Sequence, residues 1–133
     1  MGNVRLTVFP IREMIFGDVP PNEPKIATYN AKWDEEYRKR KGLRNEFAEG
    51  LDPALVSEIE ETCKRIYRLL TIDGYARIDL RLTRESKLYF IEANPNPHLA
   101  GDEDFALSAE KAGLPYPQLI DRIVRQGMNA LRD

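Results

Sequence analysis

Apolar positions change period several times along this chain, and each change marks an element. Val4, Leu6 and Val8 alternate with Arg5 and Thr7, and after Pro10 the run Ile11 to Phe16 keeps an extended, half-buried pattern. Two strands, or one bent strand, are predicted there. The proline-dense stretch GDVPPNEPK is a loop leading into IATYNAKW and the charged run DEEYRKRK. Asp52-Pro53 signals an N-cap and first helical turn, and Leu55, Ile59, Cys63, Ile66 and Leu70 follow at helical spacing.

After Asp73-Gly74 the period becomes two. Tyr75 to Leu82 and Lys87 to Asn94 then read as strands joined by the short polar link TRES, a β-hairpin. Beyond PNPHLAGDED, a short helix is predicted from Phe105 to Ala112, ended by Gly113. Leu119, Ile120, Ile123, Val124, Met128 and Leu131 mark a terminal amphipathic helix. The fold class is therefore α+β, an antiparallel β-sheet covered by helices on one side.

Composition narrows the function classes. Charged residues are 32% of the 133 and apolar ones 42%, and no apolar run approaches the roughly 18 residues of a membrane span, so no membrane role is expected. A net charge of −2 gives no general pull toward nucleic acid. The basic cluster Arg38 to Lys41, with Arg44, is surrounded by Asp34, Glu35, Glu36 and Glu46, which reads as a solvated helix face. The start MGNVRLTVF has no secretory pattern and the single Cys63 has no disulfide partner, so a cytoplasmic address is the expectation.

The hairpin carries the candidate chemistry. With TRES as a four-residue connection, Leu82 opposes Lys87, Arg77 opposes Glu92 and Asp79 opposes Phe90. Ala76, Ile78, Leu80, Leu82, Tyr89, Ile91 and Ala93 then form an apolar core face. Arg77, Asp79, Arg81, Glu92 and Asn94 share the other, where neighbouring side chains are about 5 Å apart. Magnesium suits such a face, because it takes one or two carboxylates and keeps positions for water and phosphate. The alternative is an exposed sheet face of ordinary cross-strand ion pairs. Asn94-Pro95-Asn96-Pro97 stops the strand at once and puts Glu92 and Asn94 beside a loop, which favours a site.

GYARIDLRL followed by LYFIEANPNP resembles the paired metal-binding strands of ATP-grasp enzymes, and AEKAGLPYPQLIDRIV resembles the segment that follows in D-alanine-D-alanine ligases. The likeness is close from about Gly74 to Val124 and looser through LTVFPIREMIF and ATYNAKW. It implies an ATP-grasp C-terminal subdomain binding ATP and two Mg2+ ions, with Mn2+ as a substitute. Asp79 would ligate one ion, Glu92 would be shared between both, and Asn94 would ligate the second. Arg77 would face the transferring phosphoryl group or the tetrahedral intermediate, and Lys32 would reach the ATP phosphates. A carboxylate attacks the γ-phosphate to give an acyl phosphate, and an amine then attacks the activated carbonyl; no protein nucleophile is needed.

Two departures qualify the likeness. Pro97 is followed by His98-Leu99 and the acidic GDEDF, where these ligases typically have Pro-Gly and a serine-bearing loop. The second substrate is therefore open, and His98 either reads a different substrate or faces solvent. The second departure is extent. The abrupt N-terminus reads as a piece of a longer chain, so residues 1–133 would be the C-terminal portion of an ATP-grasp domain, without the N-terminal domain or the nucleotide-covering subdomain, and inactive alone. Rival readings are an ATP-grasp ligase for a different amino acid or carboxylate, and a non-catalytic docking domain. The charged hairpin face argues against the latter, since interface cores are depleted in charge. An unpaired N-terminal edge strand would invite a homodimer.

Overall fold

A computed structural model describes residues 1–3, 5–20, 22, 25, 26, 28, 31 and 34–130, with the Ala130 side chain excepted. It comprises two compact units, one formed by Met1–Pro10 with Gly50–Asp133 and the other by Ile11–Glu49.

The smaller unit is a two-stranded antiparallel sheet with a short helix. Strand β1 is Arg12–Phe16 and β2 is Leu43–Phe47, paired from Arg12 opposite Phe47 to Phe16 opposite Leu43. Helix α1, Glu35–Arg40, is capped by Asp34, whose carboxylate accepts the Tyr37 N–H at 2.9 Å. Its acidic first turn and basic last turn suit the helix dipole. The sequence reading carried the helical charge pattern on through Arg44 and Glu46. Those two residues instead lie in β2, where Leu43, Asn45 and Phe47 alternate with them as a strand requires.

In the larger unit, α2 is Pro53–Leu69, with the Asp52 carboxylate accepting the Ala54 N–H at 2.7 Å and Pro53 in the first turn. That cap satisfies a backbone donor that the helix itself leaves orphaned. Asp52→Ala should lower stability by about 1 kcal/mol, read as a shifted denaturant midpoint with an unchanged slope. Cys63 is half-buried in this helix, and burial, then the Glu60 charge, push its thiol pKa up, as suits a packing thiol rather than a nucleophile.

Strands β3, Arg77–Leu82, and β4, Leu88–Asn94, form the second antiparallel pair. Helices α3, Asp104–Lys111, and α4, Tyr116–Ala130, follow. Helix α3 ends at Gly113, whose φ of +83° turns the chain so that Leu114 N–H reaches the Ala109 carbonyl at 2.9 Å. Leu114 thereby joins the core, in which Met1, Phe105, Ala106, Ala109 and Leu119 are buried and Phe9, Tyr75, Leu99 and Ile123 pack against them. Phe105 is its hub, with the Phe9 ring edge-on and the Tyr75 ring tilted, both at 5.5 Å. No helix among the described residues is long and apolar enough to cross a membrane.

The strand predicted from Val4 to Phe9 does not form over its described residues. Gly2 N–H bonds the Gly74 carbonyl, Gly74 N–H bonds the Asn3 side chain and Thr7 N–H bonds the Met1 carbonyl, each at 2.8 Å. These groups are thus satisfied by the turn at Gly74 and by the segment itself rather than by a neighbouring strand, and Phe9 packs on the core. The edge strand that argued for a homodimer is absent there.

Candidate functional site

The site is built by an irregularity in the β3–β4 hairpin. The connection is five residues, Thr83 to Lys87, rather than the four expected. Thr83 N–H bonds the Lys87 carbonyl at 3.0 Å and Ser86 takes a left-handed φ of +60°. Leu82 therefore faces Leu88, one position from the expected register. A second shift lies between Asp79 and Leu80: Leu80 pairs with Phe90 and Asp79 with Glu92, so Ile91 is an extra, bulged residue.

Two one-residue shifts restore the side-chain phase. Beyond the bulge Arg77 faces Asn94 and Asp79 faces Glu92, so these four share one face, with partners different from those predicted. Near the turn only one shift has accumulated. Tyr89 consequently sits opposite Arg81 on the polar face, while Leu88 and Phe90 stand opposite Leu82 and Leu80. The expected continuous apolar core face is not realised: Leu82, Tyr89, Phe90 and Ile91 are exposed, while Ala76, Ile78, Leu80, Leu88 and Ala93 are partly buried.

Arg77 holds the two acids together. Its Nε donates to Asp79 Oδ1 at 2.8 Å and its Nη2 to Asp79 Oδ2 at 3.0 Å, and Nη2 also lies 3.5 Å from Glu92 Oε1. Burial alone would lower the Arg77 pKa; hydrogen bonding to Asp79 and the charges of Asp79, Glu92 and Asp104 reverse this and hold the guanidinium protonated. Asp104, in the first turn of α3, is an acid that the sequence reading did not assign to this site. Its signal was the GDEDF run, which taken one-dimensionally marks only an acidic loop.

Asn94 is oriented by a local bond, its Oδ1 accepting the Asn96 N–H at 2.9 Å. An amide oxygen has two lone pairs, so this bond leaves acceptor capacity for a cation. The loop beyond is tied down by Tyr75, whose hydroxyl lies 3.4 Å from Asn96 Oδ1. His98 is 75% exposed and its Nδ1 lies 3.3 Å from Glu103 Oε1. The expectation for Lys32 lies outside the described residues.

Among the described residues no three His, Cys, Asp or Glu side chains cluster as a metal cage. The donor set is two facing carboxylates and one amide oxygen, all hard oxygen ligands, which fits magnesium and not a soft metal. A groove of about 360 Å3 on α4, lined by Asp121, Val124, Arg125, Met128 and Asn129, shares no residue with this set.

Residues 2–125 match the family described as "D-ala D-ala ligase C-terminus". The chain belongs to this family. The match takes in the whole hairpin, the loop after Asn94 and α3. Among curated relatives of the D-alanine–D-alanine ligase C-terminal family member described here, the D-alanine–D-alanine ligase of Lactobacillus acidophilus is 26% identical over 113 residues, covering 85% of this chain and 30% of that relative. The D-alanine–D-alanine ligase of Aquifex aeolicus is 30% identical over 101 residues, covering 76% of this chain and 33% of its own length. The chain thus spans about a third of these relatives.

Structural similarity agrees on the fold. The crystal structure of D-alanine–D-alanine ligase from Bacillus anthracis has a TM-score of 0.69 at 23% identity, covering 92% of this chain and 36% of that one. The same enzyme complexed with ATP has a TM-score of 0.68 at 23% identity, with equal coverage. An α+β fold with antiparallel sheets is common to them.

Proposed function

We propose that this chain is the metal-holding part of an ATP-dependent ligase that joins a carboxylate to an amine through an acyl phosphate. The observation that carries the reading is the convergence of Arg77, Asp79, Glu92 and Asn94 on one sheet face, within the stretch that matches the D-alanine–D-alanine ligase C-terminal family. Asp79, Glu92 and Asn94 would hold Mg2+, with Mn2+ as a substitute, Glu92 being shared between two ions. Bound there, the ions neutralise phosphate charge and orient the γ-phosphoryl group.

The chain's own residues have distinct tasks. Arg77 presents a planar, permanently charged fork to the transferring phosphoryl group or to the tetrahedral intermediate. The Asx turn at Asn94 and the Tyr75–Asn96 contact keep the strand end and its loop in place. Lys32 would contribute a compact cation to the ATP phosphates. ATP in this class lies between two α+β subdomains, so the 133 residues supply one wall and turn over only within a longer protein, in the cytoplasm.

Calorimetry of ATP binding with and without magnesium, on this chain and on its Glu92→Gln variant, tests the reading. Magnesium-dependent binding that the variant loses is the expected result. Binding by a longer parent but not by this chain would assign the rest of the pocket to the missing part. No magnesium-dependent binding by either would overturn the reading in favour of a docking domain.

The loop after Asn94 favours a ligase for an amine other than D-alanine. His98 pairs with Glu103, and Asp102 and Asp104 flank that pair. This is a negatively charged surface, ill suited to the carboxylate of an incoming amino acid. Assaying the longer protein against D-alanine and a panel of amines separates the two, and activity on D-alanine alone would exclude this second reading.

A further inference from the structure

Arg77 occupies the space that a cation shared by Asp79 and Glu92 would need. Its Nη2 is the group common to both acids, 3.0 Å from Asp79 Oδ2 and 3.5 Å from Glu92 Oε1, while Nε holds the other Asp79 oxygen at 2.8 Å. Both oxygens of Asp79 are engaged by one planar fork, the strongest geometry available to a guanidinium. Magnesium would place its own charge on the same oxygens at about 2.1 Å, closer than any N–H donor comes. A guanidinium and a divalent cation repel, so the two cannot both lie between these carboxylates.

Asp104 makes an exchange feasible. It stands in the first turn of α3, outside the Asp79–Glu92 pair, and it is the third acid whose charge acts on Arg77. A guanidinium leaving the pair therefore does not lose all of its countercharge.

We propose that Arg77 is the resident counter-ion of the metal site, bridging Asp79 and Glu92 when no metal is bound and displaced from between them when a divalent cation enters. The inference rests on the metal reading above and adds to it that loading the metal releases the arginine that serves the phosphoryl group. Without metal, the arginine is held by Asp79 and does not present its fork to substrate. Because competition is reciprocal, whatever weakens the Arg77 bridge strengthens metal binding by the same factor.

Manganese titration of this chain, followed by the electron paramagnetic resonance of the ion left in solution, tests the exchange without any activity assay. Arg77→Met should bind Mn2+ at least about fivefold more tightly than the wild type, the lower range of typical coupling between sites. Arg81→Met, which removes a cation from the same sheet face two residues further along β3, should change the affinity by less than about twofold, because exposed charge acts weakly through solvent. In 1H–15N spectra the Arg77 Nε–H resonance should move on saturation with Mg2+ as its bond to Asp79 breaks. If the wild type binds Mn2+ and Glu92→Gln does not, yet Arg77→Met binds no more tightly or the Nε–H resonance stays in place, the exchange is overturned while the metal site stands. Equal gains from Arg77→Met and Arg81→Met would also overturn it, as general electrostatics. If no variant binds Mn2+, the metal reading itself fails.

Discussion

Truncating Phe105 to alanine should cost about 3–5 kcal/mol of folding free energy, the range for deleting a buried aromatic ring and leaving a cavity. Phe105 is 8% exposed and is the residue on which the N-terminal segment, through Phe9, and the approach to β3, through Tyr75, both pack. The rest of the buried cluster is small, with Met1, Ala106, Ala109 and Leu119. A domain of this size has only about 5–15 kcal/mol in total, so the loss is a large fraction of it. Urea unfolding followed by circular dichroism reads the loss directly. Val124→Ala, at a position 53% exposed, is the control and should stay within about 0.5 kcal/mol. A loss below about 1 kcal/mol at Phe105 would mean that this cluster is not what holds the larger unit together. The variant should also loosen the loop after Asn94, because Tyr75 both packs on Phe105 and contacts Asn96.

The second large effect is expected at Asp79, where folding and ligand binding change together. Asp79→Asn removes the charge that holds both Arg77 donors and leaves a partly buried guanidinium near Glu92, a loss of about 1–2 kcal/mol once the partial exposure of both side chains is allowed for. As a proposed metal ligand, Asp79 should also carry at least the upper end of the affinity effect of outer-shell residues, so Mn2+ affinity falls by about 100-fold or more. Glu92→Gln separates the two roles. Its contact with Arg77 is longer, at 3.5 Å, and about half exposed, so folding should change by no more than about 0.5 kcal/mol while metal binding is lost. Parallel denaturation and Mn2+ titrations of the two variants check this. Equal stability losses would contradict the dominance of the Asp79 bridge, and unchanged metal affinity in both would remove the site.

The long helices and the polar hairpin face were legible because their signals are local. Asp52 and Pro53 announce the start of α2 within two residues, and Gly113 ends α3 through its own backbone freedom. The strand assigned to Val4–Phe9 and the helical reading of Arg44 and Glu46 went the other way. Alternation tells that a segment is half-buried, not which partner completes its hydrogen bonds. For Gly2, Asn3 and Thr7 the partners were the Gly74 carbonyl, the Gly74 N–H and the Met1 carbonyl. At Arg44 the partner was β1, across an intervening segment that includes α1 and whose length no local pattern encodes.

The site shows the same division more sharply. That Arg77 shares a face with Asp79, and Glu92 with Asn94, was determined by the sequence alone, since residues two apart on a strand point the same way; that the two pairs fall on one common face required the turn shift and the bulge shift to cancel. Which residue faces which was decided only in the tertiary structure, by the left-handed Ser86 at the turn and the bulge at Ile91, whose two shifts cancel for side-chain direction but not for pairing. The recruitment of Asp104 was likewise invisible along the chain: it depends on α3 starting where its first turn feels Arg77, and the field of a charge depends on distance through space rather than along the sequence.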